Sequence, residues 1–198
     1  MPRIIVIATH NKKKFAEMAT ILAPLAAAFR SLDDFGPIPP VPETADTFEE
    51  NACAKALGYA GATGQWAIAD DSGLEVDALG GRPGVQSARF GGEQGNDRAN
   101  NEALMRALEG LPRETWTARY RCVTVLATPE KVLLTTEGTV EGCITDRPAG
   151  DRGFGYDPYF LVPDLGLTMA ELAPEVKNRL SHRGKALEAL KERLEKLL

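Results

Sequence analysis

The pattern of apolar and polar residues predicts a chain that mixes strands with helices. An apolar run over residues 3–9 predicts a buried strand. The apolar residues that follow recur every three or four positions, as they do on one face of a helix: Phe15, Met18, Leu22, Leu25 and Phe29. The first strand is therefore expected to lead directly into a helix.

The middle of the chain continues this alternation. Residues 36–42 are rich in proline and predict a loop, and a second helix is expected to begin at Thr47, where the sequence TFEE is typical of a capping box. A short apolar run over residues 66–69 predicts a strand that stops at Asp70 and Asp71.

The second half predicts a helix, two long strands and a terminal helix, over residues 97–109, 115–128, 132–140 and 181–198 respectively. Strands mixed with helices in this order indicate an α/β fold on a central, mixed and twisted sheet.

Composition narrows the class of protein. A chain of 198 residues and 21.4 kDa, 43% apolar and 26% charged, fits a single globular domain, 1–198, with at most a lobe-like excursion. No apolar run approaches the roughly 18 residues that would span a bilayer, so we expect no membrane partner. The three cysteines are far apart and include no CxxC pair, which favours a reducing, cytoplasmic location.

Charge is distributed unevenly along the chain. Residues 1–30 carry five basic side chains and one acid, whereas residues 31–80 carry ten acids and one lysine. The net charge of −5 and the lack of a basic stripe argue against nucleic acid as a partner. A basic segment beside an acidic one could hold a polyanion together with a divalent cation, and the alternative is two solvated surfaces of opposite sign.

The junction between the first strand and its helix is the first candidate site. Its sequence, THNKKK over residues 9–14, places three lysines where the helix dipole disfavours cations. An anionic ligand would reverse that cost, and strand ends that feed helices are common ligand sites in α/β sheets. Asn11 could also be a simple N-cap.

Three charged residues in the acidic segment form the second candidate site. Lys55 lies on a mostly apolar stripe of the second helix, and could either point inward to a phosphate or extend to the surface. Asp70 and Asp71 are adjacent in a strand, so only one can readily enter a given site. Carboxylates there suit Mg²⁺, although turn or capping roles are the alternative.

Two further segments could contact a ligand. The sequence GFGYDP over residues 153–158 could place an aromatic ring against a planar base, or simply close the core. The last helix starts with SHRGK, where His182 and Arg183 could donate to a ligand oxygen. A cation at a helix N-terminus is unfavourable, so removing Arg183 is expected to leave thermal stability near that of the wild type or slightly higher. The alternative is that Arg183 anchors the helix through an ion pair, and its loss would then lower the melting temperature by many degrees.

Together these segments resemble the non-canonical purine nucleoside triphosphate pyrophosphatase family over almost the whole chain. Residues 9–14 are similar to its phosphate-binding motif, and residues 43–56 are similar to its E-T-x-x-T-F-x-E-N-A-x-x-K-A motif. The segments ADDSGL, GGRPGV, FGYDP and SHR, which begin at residues 69, 80, 154 and 181, complete the pattern. Two residues depart from it, His10 in place of a glycine and Gln86 in place of an aromatic residue.

The resemblance implies hydrolysis of ITP, dITP and XTP to the monophosphate and pyrophosphate by a Mg²⁺-dependent cytoplasmic homodimer. It implies an elongated two-lobed fold with the ligand cleft between the lobes. Asp71 would orient or deprotonate the attacking water, and Glu43 and Asp71 would hold Mg²⁺. The implied substrate-binding residues are Thr9, His10, Asn11, Lys12, Lys13, Lys14, Lys55, Ser72, Phe154, Gly155, Tyr156, Asp157, Lys177, His182 and Arg183.

Within this set, Phe154 would stack on the base, and Lys177, His182 and Arg183 would donate toward the 6-keto oxygen. Adenine lacks that oxygen, which would make the donors discriminating. Three rivals stay in view. A haloacid dehalogenase-type phosphohydrolase would need a DxD pair after the first strand, a Maf-type pyrophosphatase would act on other nucleotides, and a nucleotide sensor would bind without catalysis.

Overall fold

The computed structural model describes residues 2–198, which form one seven-stranded sheet and five α-helices, joined by short 3-10 turns and loops. The strands, in chain order β1 to β7, are Arg3–Ile7, Ala27–Ser31, Trp66–Val76, Thr117–Ala127, Val132–Ile144, Phe160–Val162 and Leu167–Thr168. The helices, α1 to α5, are Lys12–Leu22, Phe48–Thr63, Asp97–Leu108, Pro174–Leu180 and His182–Leu194.

The sheet is mixed, with the strand order β2-β1-β3-β4-β5-β6-β7. Strand β1 pairs in parallel with both β2 and β3, whereas β6 pairs antiparallel with β5 and β7. The predicted α/β class with a central mixed sheet is confirmed.

The chain divides into two compact units. The first unit comprises Met1–Asp71, Cys122–Gly138 and His182–Leu198, and the second comprises Ser72–Arg121 and Thr139–Ser181. Each unit has a hydrophobic core of its own: the first core includes Ile7, Met18 and Leu187, and the second includes Leu104 and Phe160. The elongated shape and the ligand cleft remain predictions.

Two of the expected helix caps are present. The Oδ1 atom of Asn11 accepts hydrogen bonds from the backbone N–H groups of Lys13 and Lys14, and the Thr47 hydroxyl oxygen accepts one from Glu50. The Glu50 carboxylate accepts a hydrogen bond from the Thr47 hydroxyl. The carboxamide oxygen of Asn11 and the hydroxyl oxygen of Thr47 thus accept hydrogen bonds from backbone N–H groups that have no partner within the first helical turn.

Several predicted boundaries are wrong. Helix α1 ends at Leu22, and Phe29 lies in strand β2, which the periodicity did not reveal. The strand predicted from the apolar run at residues 66–69 does not stop at Asp70, because strand β3 continues to Val76. Strand β5 extends four residues beyond the predicted end, and helix α4 was not anticipated.

Helix α5 lies directly against strand β5 at Gly138. A Cβ atom there would overlap the backbone oxygen of His182 and the backbone nitrogen of Ala186. The Thr136 hydroxyl also donates a hydrogen bond to the Ala186 carbonyl, at 2.8 Å. This close approach fixes the start of α5, and with it the side chains of His182 and Arg183, in the first unit.

Candidate functional site

The residues of the lysine-rich junction occupy the loop that follows β1 and the first turn of α1. The Asn11 N–H donates to the Thr9 hydroxyl oxygen at 3.1 Å, and the Asn11 side chain caps the helix. His10 lies with its ring centroid 5.8 Å from that of Tyr59. Lys12 and Lys13 are exposed, whereas Lys14 is half-buried. The alternative interpretation of Asn11 as an N-cap is therefore correct.

Lys14 is connected to a buried carboxylate. Its Nζ atom lies 3.1 Å from Oδ2 of Asp70. Arg183 approaches the same Asp70 oxygen with Nε and Nη2, each at 3.3 Å, and its Nη1 lies 2.7 Å from Glu17 Oε2. Burial alone would raise the pKa of Asp70, but the charges of Lys14 and Arg183 outweigh burial and hold that pKa well below its ordinary value.

Lys55 is at the centre of a second charged cluster. Its side chain points inward, and its Nζ atom lies 3.0 Å from Asp71 Oδ1 and 3.2 Å from Glu43 Oε2. The Asn51 side-chain amide donates to the other Asp71 oxygen at 3.2 Å. Lys55 is only 7% exposed and Asp71 only 5% exposed. Helix α2 and strand β3 therefore present a buried, hydrogen-bonded ion pair.

The pKa of Asp71 responds to two opposing effects. Burial raises its pKa, and the nearby Lys55 charge lowers it, with a net shift upward. Burial favours the neutral form of Lys55, but Asp71, Asp70 and Glu43 outweigh it and raise the pKa of the ammonium. Lys55 is therefore held as a cation beside a carboxyl group that is easier to protonate than an exposed aspartate.

Asp70 and Asp71 have separate sets of partners. Asp70 contacts Lys14 and Arg183, whereas Asp71 contacts Lys55 and Asn51. This separation agrees with the alternation of side chains along a strand. The expectation that only one of the two acids enters a given cluster is met, although both lie within β3 rather than at its end.

Glu43 and Asp71 were expected to hold Mg²⁺. Two carboxylates directed at one ammonium provide oxygen donors beside a cation position, which fits an ion that binds through one or two carboxylates and keeps several waters. Among residues 2–198, no three His, Cys, Asp or Glu side chains are grouped so as to hold a metal. The two carboxylates therefore fit an ion that keeps several waters among its ligands.

In the second unit, the loop of residues 153–157 is held by polar contacts. Asp157 Oδ2 accepts hydrogen bonds from the Phe154 N–H at 2.9 Å and from Lys177 Nζ at 2.8 Å. The same Lys177 atom lies 5.1 Å from the centroid of the Phe154 ring. Gly153 has a φ of +77°, and a Cβ atom there would overlap Asp157 Oδ2. The backbone of this tight loop therefore requires glycine at position 153.

Tyr156 has a structural position. Its ring belongs to the core of the second unit, and its hydroxyl donates to the Ser87 carbonyl at 2.8 Å. Burial, and secondarily the charge of Asp97, raises the pKa of that hydroxyl. Of the loop residues, Phe154 and Gly155 are less buried and are better placed to contact a ligand.

The structure groups most, but not all, of the expected residues. It gathers Lys14, Lys55, Glu43 and Asp71 in the first unit, and Phe154, Asp157 and Lys177 in the second. Ser72 lies in β3, half-buried, and His182 is buried at the start of α5.

Arg183 is buried and has its guanidinium nitrogens within hydrogen-bond distance of Asp70 and Glu17. These contacts support the alternative in which it anchors α5 through ion pairs. Sequence reasoning gave no role to Glu17 or Asn51. Asn51 stood within the quoted motif, and its place one turn before Lys55 was a usable signal.

Comparison with known proteins identifies the group to which this fold and these motifs belong. The sequence model of the Ham1 family matches residues 5–193 of this chain. The chain belongs to the Ham1 family. The dITP/XTP pyrophosphatase of Shouchella clausii is 49% identical over 191 residues, covering 96% of both chains. The dITP/XTP pyrophosphatase of Bacillus subtilis is 48% identical over 190 residues, again covering 96% of both.

Solved structures of Ham1 proteins have the same fold. The HAM1 protein of Coxiella burnetii superposes with a TM-score of 0.89 at 41% identity, covering 98% of this chain and 99% of that one. A dITP/XTP pyrophosphatase of Mycobacterium abscessus gives a TM-score of 0.76 at 43% identity, covering 94% and 97%. None of the helices in residues 2–198 is long and apolar enough to cross a membrane.

Proposed function

We propose that this Ham1-family chain hydrolyses dITP, XTP and ITP to the nucleoside monophosphate and pyrophosphate. The cluster of buried Lys55 and Asp71 with half-buried Glu43 is the observation that carries the proposal, because it combines a cation for phosphate with carboxylates for metal and water. The names of relatives at 48–49% identity over almost the full chain support the substrate class.

The first unit takes the triphosphate. Residues 9–14 supply the ammonium groups of Lys12, Lys13 and Lys14 at the start of α1, and Lys55 adds a buried ammonium. When the triphosphate binds, Lys14 moves part of its hydrogen bonding from Asp70 to phosphate oxygens, and Lys55 does the same with its hydrogen bonds to Asp71. The two aspartates then become available for other partners.

Asp71 orients the attacking water and accepts its proton. The upward direction of its pKa shift makes it a stronger base than an exposed aspartate. Glu43 and Asp71 would hold Mg²⁺, which would supply positive charge beside the phosphate oxygens when bound. Asn51 donates to Asp71 and fixes the direction of that carboxylate.

The second unit takes the base. Phe154 stacks on the purine, and Lys177 is directed by Asp157, which leaves its ammonium beside the ring. Lys177 remains the proposed donor to the 6-keto oxygen in this unit, and the donor role of His182, a residue of the first unit, stays a prediction from the resemblance. For Arg183 we favour the role of anchoring α5 and compensating Asp70, because its nitrogens already have carboxylate partners.

Location and assembly complete the proposal. We place the protein in the cytoplasm, as the free thiols of Cys53, Cys122 and Cys143 suit a reducing compartment. We also propose a homodimer, which rests on the family resemblance alone.

The deciding experiment is product analysis with Mg²⁺ and dITP, XTP, ITP, ATP and GTP in parallel. Release of pyrophosphate and monophosphate from the first three, with much slower release from ATP and GTP, supports the proposal. Binding without pyrophosphate release would identify a sensor, and preference for other nucleotides would identify a Maf-type activity.

A further inference from the structure

Both backbone polar groups of Gly155 are bound by side chains of helix α3. The Gly155 N–H donates to Asp97 Oδ2 at 2.8 Å, and the Gly155 carbonyl accepts from Asn101 Nδ2 at 2.9 Å. Asp97 and Asn101 are four residues apart and so lie on the same face of the helix, one turn from each other. One helix face therefore holds a single residue of the loop from both sides.

The same loop also closes on itself at the neighbouring residue. The Phe154 N–H donates to Asp157 Oδ2 at 2.9 Å, and the Phe154 carbonyl accepts from the Asp157 N–H at 3.3 Å. With the polar groups of Phe154 and Gly155 all engaged, the backbone on either side of the Phe154 ring has fixed partners. The direction of the ring then follows from the backbone.

The side-chain amide of Asn101 has one favourable half and one unfavourable half, because its nitrogen makes hydrogen bonds while its buried oxygen makes none within the described residues. Its Nδ2 donates to the Asp97 carbonyl at 2.8 Å as well as to Gly155, while its Oδ1 is buried without a hydrogen-bond partner in residues 2–198. A buried polar atom without a partner is unfavourable. A leucine of similar size would avoid that cost, but it could not hold the Gly155 carbonyl.

We propose that Asp97 and Asn101 are positioning residues that set the orientation of Phe154 for base recognition. This inference rests on the proposed function, in which the loop of residues 153–157 takes the purine. Neither residue touches the base. They act through the Gly155 peptide, and their loss would allow the ring to leave the orientation that favours a 6-keto purine.

Helix α3 offers a matched control in the residue next to Asn101. Asn100 Oδ1 accepts from the Gly91 N–H at 2.7 Å, and Asn100 Nδ2 donates to the Ala88 carbonyl at 3.1 Å. Asn100 therefore uses the same chemistry to hold a different loop. Substituting Asn100 tests the stability that such an amide contributes, without changing the contacts of Gly155.

The test compares Asn101→Ala with Asn100→Ala. For Asn101→Ala we expect the KM for ITP to rise about tenfold, with kcat changed less, and the ratio of kcat/KM for ITP over ATP to fall by roughly fivefold or more. For Asn100→Ala we expect that ratio to stay within about twofold of wild type, at a similar loss of Tm.

Asp97 supplies a second pair of variants in case Asn101→Ala does not fold. Asp97→Ala should lower the same ratio, whereas Asp97→Asn retains an acceptor oxygen and should restore much of it. The inference is overturned if Asn101→Ala and Asp97→Ala both keep the ratio within about twofold of wild type, or if Asn100→Ala shifts it equally.

A binding measurement separates this inference from the proposed function. Calorimetry with inosine monophosphate, and separately with inorganic tripolyphosphate, should show weaker binding of the monophosphate to Asn101→Ala and unchanged binding of tripolyphosphate. This result supports the positioning role even if the wild type releases no pyrophosphate, an outcome that overturns the proposed function alone. Wild type that binds neither probe overturns both.

Discussion

The charged clusters of the first unit and the loop of the second unit hold their functional groups by different means. Lys14 and Lys55 form ion pairs with the buried carboxylates of Asp70 and Asp71, so the charged form of each group is stabilised by the opposite charge beside it. The loop around Phe154 is held mainly through its own backbone N–H and C=O groups. We therefore expect changes of charge to affect the first region strongly, and changes of shape to affect the second.

The largest effect should come from removing the Asp71 charge. Asp71→Asn keeps the volume but removes the proposed base and a metal ligand, so we expect kcat to fall at least about a hundredfold. Pyrophosphate release from dITP measures this, and circular dichroism should show an unchanged fold.

Asp70→Asn is the matched control, because Asp70 neighbours Asp71 on the strand but contacts Lys14 and Arg183. It should retain more activity than Asp71→Asn and lose more stability. An inactive Asp70→Asn beside an active Asp71→Asn would show that the roles of the two carboxylates are reversed.

The next effect concerns stability. Arg183→Ala removes a guanidinium that is 3% exposed and takes two nitrogen donors away from the Asp70 carboxylate. Removing one partner of a buried ion pair costs about 3–5 kcal/mol, so we expect Tm to fall by roughly 10 °C. This reverses the expectation from helix-dipole reasoning, because burial and pairing outweigh the dipole.

Arg179→Ala is the control for Arg183→Ala, since Arg179 is exposed on the preceding helix and its loss should change the free energy of unfolding by less than about 0.5 kcal/mol. An Arg183→Ala protein with wild-type Tm but a much lower ITP over ATP ratio would restore Arg183 to base recognition.

The difference between local and long-range contacts explains what the sequence could predict. The separate faces of Asp70 and Asp71 follow from strand periodicity and were anticipated. The Asn11 cap and the inward direction of Lys55 were each one of two alternatives that the sequence left open. The partners of Arg183 were not anticipated, because Asp70 lies 113 residues away in sequence. Only packing of α5 against the sheet brings them together.

The spacing of apolar residues also fails to locate a helix end when the residues beyond that end pack into the same core. Leu25 and Phe29 continue the helical spacing of α1, yet Leu25 follows the helix and Phe29 lies in β2. Both still pack into the core of the first unit, so their apolar character was informative while their spacing was not. Pro24 was the local signal for an earlier helix end.

A third prediction tests the phosphate role of Lys14. Lys14→Ala should lower kcat/KM for dITP at least tenfold, about 1.4 kcal/mol, because a cation for the triphosphate is lost. Lys14→Arg, which retains the charge beside Asp70, should recover part of the activity. Steady-state kinetics measure both. A Lys14→Ala value within about threefold of wild type would mean that the triphosphate does not depend on this lysine.

The smallest effect should come from the base-binding loop, and it sharpens the contrast between the two regions. Phe154→Leu keeps apolar volume but loses the flat ring, so we expect affinity for inosine nucleotides to fall about five- to tenfold, in the range of one stacked base. Affinity for inorganic tripolyphosphate should be unchanged, whereas Lys14→Ala should weaken tripolyphosphate binding. Phe154→Tyr preserves the ring and is the control for stacking. If Phe154→Leu weakens tripolyphosphate as much as inosine nucleotides, the loop serves the phosphates as well, and the two regions do not divide the substrate between charge and shape.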